Sequence, residues 1–255
     1  MLRILLIIIF LLSLSVPAYP FLSDNEIALL QKELIMKPIG ERIAFWAEKF
    51  VGTPYDSDPR GEYVTKKAVV ADERVDCMYL TFRAVELGLA KTPAEALMIA
   101  LDKRFISRGR IAGGIVVNYE DRFQRGEDML TSGKWGRDVT EKIGPATETE
   151  GLKDGRKIKI LSKGTLQSLF AVPNSHALQI PSFRSGDLIF FIKSPAQRIS
   201  GEIVGHIGIV KEEWGIFYLV HAKGTKNKGG MVEKVLLSKY FSSMPFAGIQ
   251  ISRFD

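Results

Sequence analysis

The stretch Val75-Asp76-Cys77-Met78-Tyr79-Leu80-Thr81-Phe82-Arg83-Ala84-Val85-Glu86-Leu87-Gly88 decides how the rest of the chain is read. Leu80, Ala84 and Leu87 recur at helical spacing, Asp76 is a capping residue type, and Gly88 reads as the stop, so a helix begins at or beside Cys77. Cys77 is the only cysteine in 255 residues, so it has no internal disulfide partner. A thiol at a helix start meets unpaired backbone N–H groups and the positive end of the helix dipole, which favour the thiolate. The same N–H groups suit the oxyanion of a tetrahedral intermediate. A cysteine in this position also occurs as plain packing, so the histidines must decide.

There are three histidines: His176 in a Pro/Asn/Ser loop, His206 inside a strand pattern, and His221 at the end of the next strand. A thiol nucleophile needs an imidazole as base, and the imidazole needs a partner that orients it. Two adjacent strands supply both, with His206 flanked by Gly205 and Gly208, which keep bulk away from its ring. His176 reads as a surface loop residue.

Outward from this centre, Ser23-Asp24-Asn25-Glu26 is a capping box followed by Ile27, Leu30 and Leu34 at helical spacing. Ile43, Trp46 and Phe50 mark a second helix, and residues 19–50 together form a helical collar. Thr92-Pro93-Ala94-Glu95 opens another helix. Residues 104–181 are irregular, with a helix after Asn118 and an alternating strand from Lys157 to Leu161, and are expected to elaborate the core. The last third changes character: Asp187 to Ile192, Ile203 to Lys211, Ile216 to Ala222 and Gly248 to Arg253 read as strands of an antiparallel sheet. The segment Lys223 to Gly230 reads as a cationic loop beside the site, without the spacing of a phosphate-binding loop. Trp135 is weighed as a platform for a sugar ring against simple burial.

With 46% hydrophobic and 25% charged residues, the chain is long enough for one substantial core. Met1-Leu2-Arg3, the apolar run from Ile4 to Val16, and Pro17-Ala18 have the anatomy of a signal peptide over residues 1–18, cleaved near Ala18, with an uncleaved anchor as the other reading. The expected location is therefore the periplasm or cell envelope, with a single domain over residues 19–255. The net charge of +6 suits anionic surfaces, yet the cations are scattered and do not form a nucleic-acid-binding patch.

Four blocks in order carry a resemblance: Gly52-Thr53-Pro54-Tyr55, Asp76-Cys77, Gly186-Asp187-Leu188-Ile189-Phe190-Phe191, and His206-Ile207-Gly208-Ile209-Val210 with His221-Ala222. Together they resemble the NlpC-type papain-like cysteine peptidases that cleave bacterial cell-wall peptides. The resemblance implies an α+β fold in which a nucleophile-bearing helix packs on a small antiparallel sheet. It also implies Cys77 as nucleophile, His206 as base and His221 as orienter, with Tyr55 near the oxyanion. Further blocks, Asn118-Tyr119-Glu120-Asp121-Arg122-Phe123, Gly136-Arg137-Asp138-Val139-Thr140 and the ending Gly248 to Arg253, resemble the N-acetylmuramoyl-L-alanine amidase-like branch. That branch has Thr-Phe where this chain has Met78-Tyr79, and His-Tyr where it has Asn118-Tyr119. The likeness adds Tyr119 and Arg122 as candidate substrate contacts, peptidoglycan fragments as the partner, and no cofactor or metal. Three alternatives stay open: a stem-peptide endopeptidase, a zinc-dependent amidase using Cys77, His206 and His221 as ligands, and a non-catalytic envelope-binding module.

Overall fold

The computed structural model describes residues 21–57, 69–150, 156–170, 182–198, 202–225 and 227–255. The signal-like segment and His176 lie outside the described residues. Helix α1 (Asp24–Leu34) starts at the capping box read from sequence, with Ser23 and Glu26 satisfying each other's backbone N–H groups. Helix α2 (Ile39–Lys49) buries Ile43, Ala44, Trp46 and Ala47. Helix α3 (Cys77–Leu89) is the central helix, with Tyr79 to Gly88 all buried. Helix α4 (Pro93–Lys103) begins at the Thr92 cap; Glu95 reaches back to the amide of Lys91 at 2.7 Å.

Gly88 does not stop α3. The helix runs through it to Leu89. A Cβ at Gly88 would lie 2.6 Å from Ile43 Cγ1 and 2.9 Å from Ile43 N and Cα. Glycine is there because the backbones of α2 and α3 pass close together, a close-approach role rather than a terminating one.

Between α4 and the main sheet come a small hairpin, β1 (Ile111–Ala112) with β2 (Ile115–Val116), a 3-10 turn at Tyr119–Asp121, and helix α5 (Gly126–Ser132). Strand β3 (Arg137–Asp138), helix α6 (Thr140–Ile143), β4 (Thr147–Glu150), β5 (Lys157–Ser162) and helix α7 (Lys163–Phe170) follow. The carboxy-terminal part supplies β6 (Leu188–Ile192), β7 (Val204–Glu213), β8 (Ile216–Thr225), β9 (Gly229–Leu236), helix α8 (Leu237–Ser243) and β10 (Gly248–Arg253). Among the described residues the main sheet has the order β4-β5-β10-β6-β7-β8-β9, with β3 paired to β10, and its named pairs are antiparallel. The fold is α+β. The expected elaboration is in part sheet: β4 and β5 extend it beyond β10.

The sheet separates two apolar cores. One holds Trp46, Leu80, Phe82, Ile207, Ile209 and Val220 beneath α2 and α3; the other holds Phe191, Val210, Leu219, Leu237 and Phe241 beneath α7 and α8. Asp187 and Arg253 join two of the sequence blocks through paired hydrogen bonds of 2.6 and 2.8 Å, both side chains buried. Gly186, at φ +86°, lies where the start of α2 crosses; a Cβ there would be 2.3 Å from Gly40 O. The expected loop at Lys223 to Gly230 is instead the end of the β8–β9 hairpin, with Lys223 opposite Met231 and Gly224 opposite Gly230. Trp135 is 2% exposed and lies 4.9 Å, ring to ring, from Phe82, so it is core and offers no face to a sugar.

Candidate active site

Cys77 is the first residue of the 13-residue helix α3, and Asp76 caps it by accepting a 2.8 Å hydrogen bond from the Tyr79 amide. The approach to this helix is fixed by a buried polar network. The Tyr79 hydroxyl donates to Asp72 Oδ1 at 2.7 Å and accepts from the Ala71 amide at 2.6 Å. Arg83 grips Asp72 with bonds of 2.8 and 2.9 Å. Arg104, fully buried, holds both oxygens of Glu86 at 2.5 and 2.6 Å and donates to the Val69 carbonyl at 2.7 Å. The tyrosine of Met78-Tyr79 therefore does what phenylalanine could not, since its hydroxyl ties the segment before Cys77 to the helix that carries Cys77.

Tyr55 belongs to the same locality. It bridges to Val75, two residues from Cys77, and its amide donates to the Gly230 carbonyl at 2.8 Å. A Cβ on Gly224 would sit 2.3 Å from Tyr55 Cγ, so the glycine leaves the space that the phenol ring occupies. Burial, then the charges of Cys77, Asp76 and Asp56, push its hydroxyl well above the usual phenol range, which keeps it a hydrogen-bond donor.

The two strand histidines meet. His206 Nε2 and His221 Nδ1 are 2.9 Å apart, with ring centroids 5.0 Å apart and planes at 84°. A β-bulge aims His206. Phe191 pairs with His206 while Ile192 pairs with Val204, so Gly205 is the extra residue. Gly208 clears the second ring, because a Cβ there would approach Leu219 Cδ1 to 2.5 Å and His221 Cβ to 3.3 Å. Phe191 and Phe246 flank His206 at 5.7 and 6.4 Å.

Burial, then the neighbouring imidazole, lowers His206 to about 3. Burial also lowers His221 to about 4, with Glu233 opposing the shift and Lys223 adding to it. Both rings are neutral near pH 7. With His206 Nε2 bonded to His221, Nδ1 is the His206 nitrogen left for a second partner. Two ring nitrogens bonded to each other are not both directed at one ion, and no group of three metal-ligating side chains is assembled among the described residues.

A cleft of about 890 Å³ opens against this pair, lined by His206, His221, Lys223, Glu233, Lys239 and Tyr240 among others. Tyr240, which sequence reasoning missed, lies 5.0 Å from the His221 ring and 6.4 Å from the His206 ring. Burial and the charge of Cys77 raise its hydroxyl above the usual range. Cys77 is thus within electrostatic reach of both Tyr55 and Tyr240.

No family model and no curated protein sequence matches the chain. Solved structures do match. An N-acetylmuramoyl-L-alanine amidase from Bacteroides uniformis aligns at TM-score 0.61 and 19% identity, covering 84% of this chain and 98% of that one. A DUF1460 protein from Legionella pneumophila aligns at TM-score 0.66 and 17% identity, covering 89% and 93%. A proposed xylanase from Bacteroides fragilis aligns at TM-score 0.58 and 18% identity, covering 83% and 100%. The likeness is one of fold. Neighbours with names this different show why the chemistry must be argued from the site.

Tyr119 and Arg122 come together, but with each other. The guanidinium of Arg122 lies 4.9 Å from the Tyr119 ring centre. Tyr119 packs on the cluster of Leu101, Phe105 and Val116, and Arg122 bridges to Phe105. Asn118 is buried and bonds to Asp121, to the Arg108 carbonyl and to the Arg110 amide, so it fastens this loop.

Proposed function

We propose that the chain is a cysteine-nucleophile amidohydrolase of papain-like architecture, acting on the amide between N-acetylmuramic acid and L-alanine in cell-wall fragments. The observation that carries this reading is the 2.9 Å bond between His206 Nε2 and His221 Nδ1, which leaves His206 Nδ1 for the thiol. Cys77 opening α3 and the amidase name of the Bacteroides uniformis neighbour support it.

In this mechanism His206 takes the Cys77 proton, and the thiolate attacks the lactyl carbonyl of the muramic acid. The tetrahedral oxyanion is stabilised at the amino end of α3, with the protonated Tyr55 hydroxyl beside it. The imidazolium then gives its proton to the departing alanine nitrogen, leaving a thioester. Water activated by the same imidazole hydrolyses the thioester and restores the thiol. His221, fixed in the fold, accepts from His206 Nε2–H throughout and keeps Nδ1 as the working nitrogen. The segment 1–18 would export the protein to the envelope, where such substrates occur.

The test is mass analysis of defined muropeptides incubated with wild-type protein and with Cys77→Ser. Separation of sugar from intact stem peptide by wild type alone is the expected result. A cut inside the stem peptide would favour the endopeptidase; turnover lost on chelation and restored by zinc would favour the metal enzyme; no product from either protein would favour the binding module.

A further inference from the structure

Tyr240 is a contact that the catalytic reading does not use. It lies on α8, a short helix held by buried Leu237 and Phe241 on the same core as Phe191. The end of this helix is fixed too, because Lys163 Nζ donates to the Met244 carbonyl at 2.7 Å. Tyr240 is thus presented on a fixed support. Its ring makes three aromatic contacts: edge-on to His221 at 5.0 Å and 70°, stacked over His206 at 6.4 Å and 27°, and tilted on Phe191 at 5.1 Å. Centroid separations of 4.5–7 Å in stacked or edge-to-face geometry are the favourable range for such pairs. One ring therefore packs edge-on against His221, faces His206 within aromatic-pair range, and also lines the cleft that opens on them.

An imidazole pair needs such a constraint. Each ring can rotate about its χ2, and χ2 of an aromatic side chain is a broad, roughly twofold torsion. A half-turn of either ring would exchange the nitrogen in the His206–His221 bond for a carbon. Strand backbone and the bulge at Gly205 fix where His206 begins, and Phe191 and Phe246 flank its ring, but among the described ring contacts Tyr240 is the aromatic side chain paired with both imidazoles.

We propose that Tyr240 is a positioning residue: its ring clamps both imidazoles in the rotation that keeps His206 Nε2 on His221 Nδ1 and so presents His206 Nδ1 outward. The importance of this clamp for turnover rests on the cysteine-hydrolase reading above; the clamp itself does not. The ring does the clamping and the hydroxyl is incidental to it, so phenylalanine should substitute and an aliphatic residue should not.

The test is NMR of histidine-labelled full-length protein, comparing wild type, Tyr240→Phe and Tyr240→Leu. In wild type, nuclear Overhauser contacts should run from the Tyr240 ring to both imidazoles, and the nitrogen shifts should show His206 protonated at Nε2. Tyr240→Phe should keep that tautomer, whereas Tyr240→Leu should mix the tautomers and, by admitting water, raise the His206 titration midpoint by about one unit or more. Absence of the wild-type contacts would overturn the inference even if the leucine variant did not fold. So would wild-type imidazole signals in Tyr240→Leu, or equal disturbance in the leucine and phenylalanine variants. Failure of the hydrolase reading would look different: Cys77→Ser would turn over like wild type while the imidazole signals behaved as described.

Discussion

Lowering the pH should destabilise this protein through its two neutral imidazoles. Both are held far below the ordinary histidine value of 6.5, His206 at about 3 and His221 at about 4, with burial the main cause. A base with a depressed folded pKa gives stability that is whole above the unfolded pKa, near 6.5. That stability is lost as the pH falls below it, because the unfolded chain takes up protons the folded one refuses. At pH 5 the unfolded form of each histidine is favoured by about 1.5 pH units at 1.36 kcal/mol each, or about 2 kcal/mol. The pair therefore accounts for about 3–4 kcal/mol between pH 7 and pH 5, the lower figure allowing for the accessible edge of His206. The loss continues toward the folded values and levels off near pH 3. Urea unfolding at pH 7 and pH 5 measures it, using the double variant His206→Gln, His221→Gln to remove the other titrating groups by subtraction. That subtraction matters: Glu127, raised by burial, pulls in the opposite sense. If wild type and the double variant lost the same stability between the two pH values, the histidines would not be buried neutral and the account of the site would fail.

Replacing Cys77 by Ser or Ala should abolish muropeptide hydrolysis with unchanged circular dichroism, and iodoacetamide should inactivate wild type while chelation should not. His206→Ala should cost about 10²–10⁴-fold in kcat or more, and His221→Asn or Gln, which still accept a hydrogen bond, should keep more activity than His221→Ala. Gly208→Ala should destabilise by about 1–3 kcal/mol in denaturant titration and lower activity, because its Cβ would press on Leu219 and on His221. Arg104→Met should cost about 3 kcal/mol of stability in denaturant titration, since it removes both hydrogen bonds to the buried carboxylate of Glu86 and leaves it only Arg83 at 3.5 Å. Amino-terminal sequencing of protein recovered from the envelope should begin near Tyr19, and a retained Met1 would support the anchor instead.

What the sequence made legible was local. The capping box at Ser23 and Glu26, the cap at Thr92, the alternation in β5 and the apolar runs of β6 and β8 are all short-range patterns, and each stands where it was read. The strand β9 was hidden because it opens with Gly229 and Gly230 at φ +71° and +145°, next to lysines, so it looks like a turn. Its role is set from outside the segment, by Tyr55 filling the space over Gly224. Helix α8 has no side-chain cap, and Leu237, Tyr240 and Phe241 give too short a pattern to separate from a loop. Its stability comes from packing against Phe191 and the residues of β8, contacts across long sequence separations. Tyr240 could not be found without that helix.

The histidine pair shows how a strand pattern can be right and still incomplete. Simple alternation puts Ile207 and Ile209 on one face and His206, Gly208 and Val210 on the other, in agreement with the two cores. Yet Val204, three residues before Ile207, lies in the same core as Ile207, which alternation forbids. The bulge resolves the conflict by inserting Gly205, so β7 can bury Val204 against α5 and still send His206 to the face that carries His221. A Cβ there would come within 2.5 Å of Phe246 Cε1 and 2.9 Å of Lys193 Cε, so a larger residue would have to push both of those side chains aside. The two glycines around His206 thus have separate duties: Gly205 sets which way its side chain leaves the strand, and Gly208 makes room for the ring that it meets. A histidine that only filled core would need neither, since one residue of ordinary alternation would bury it.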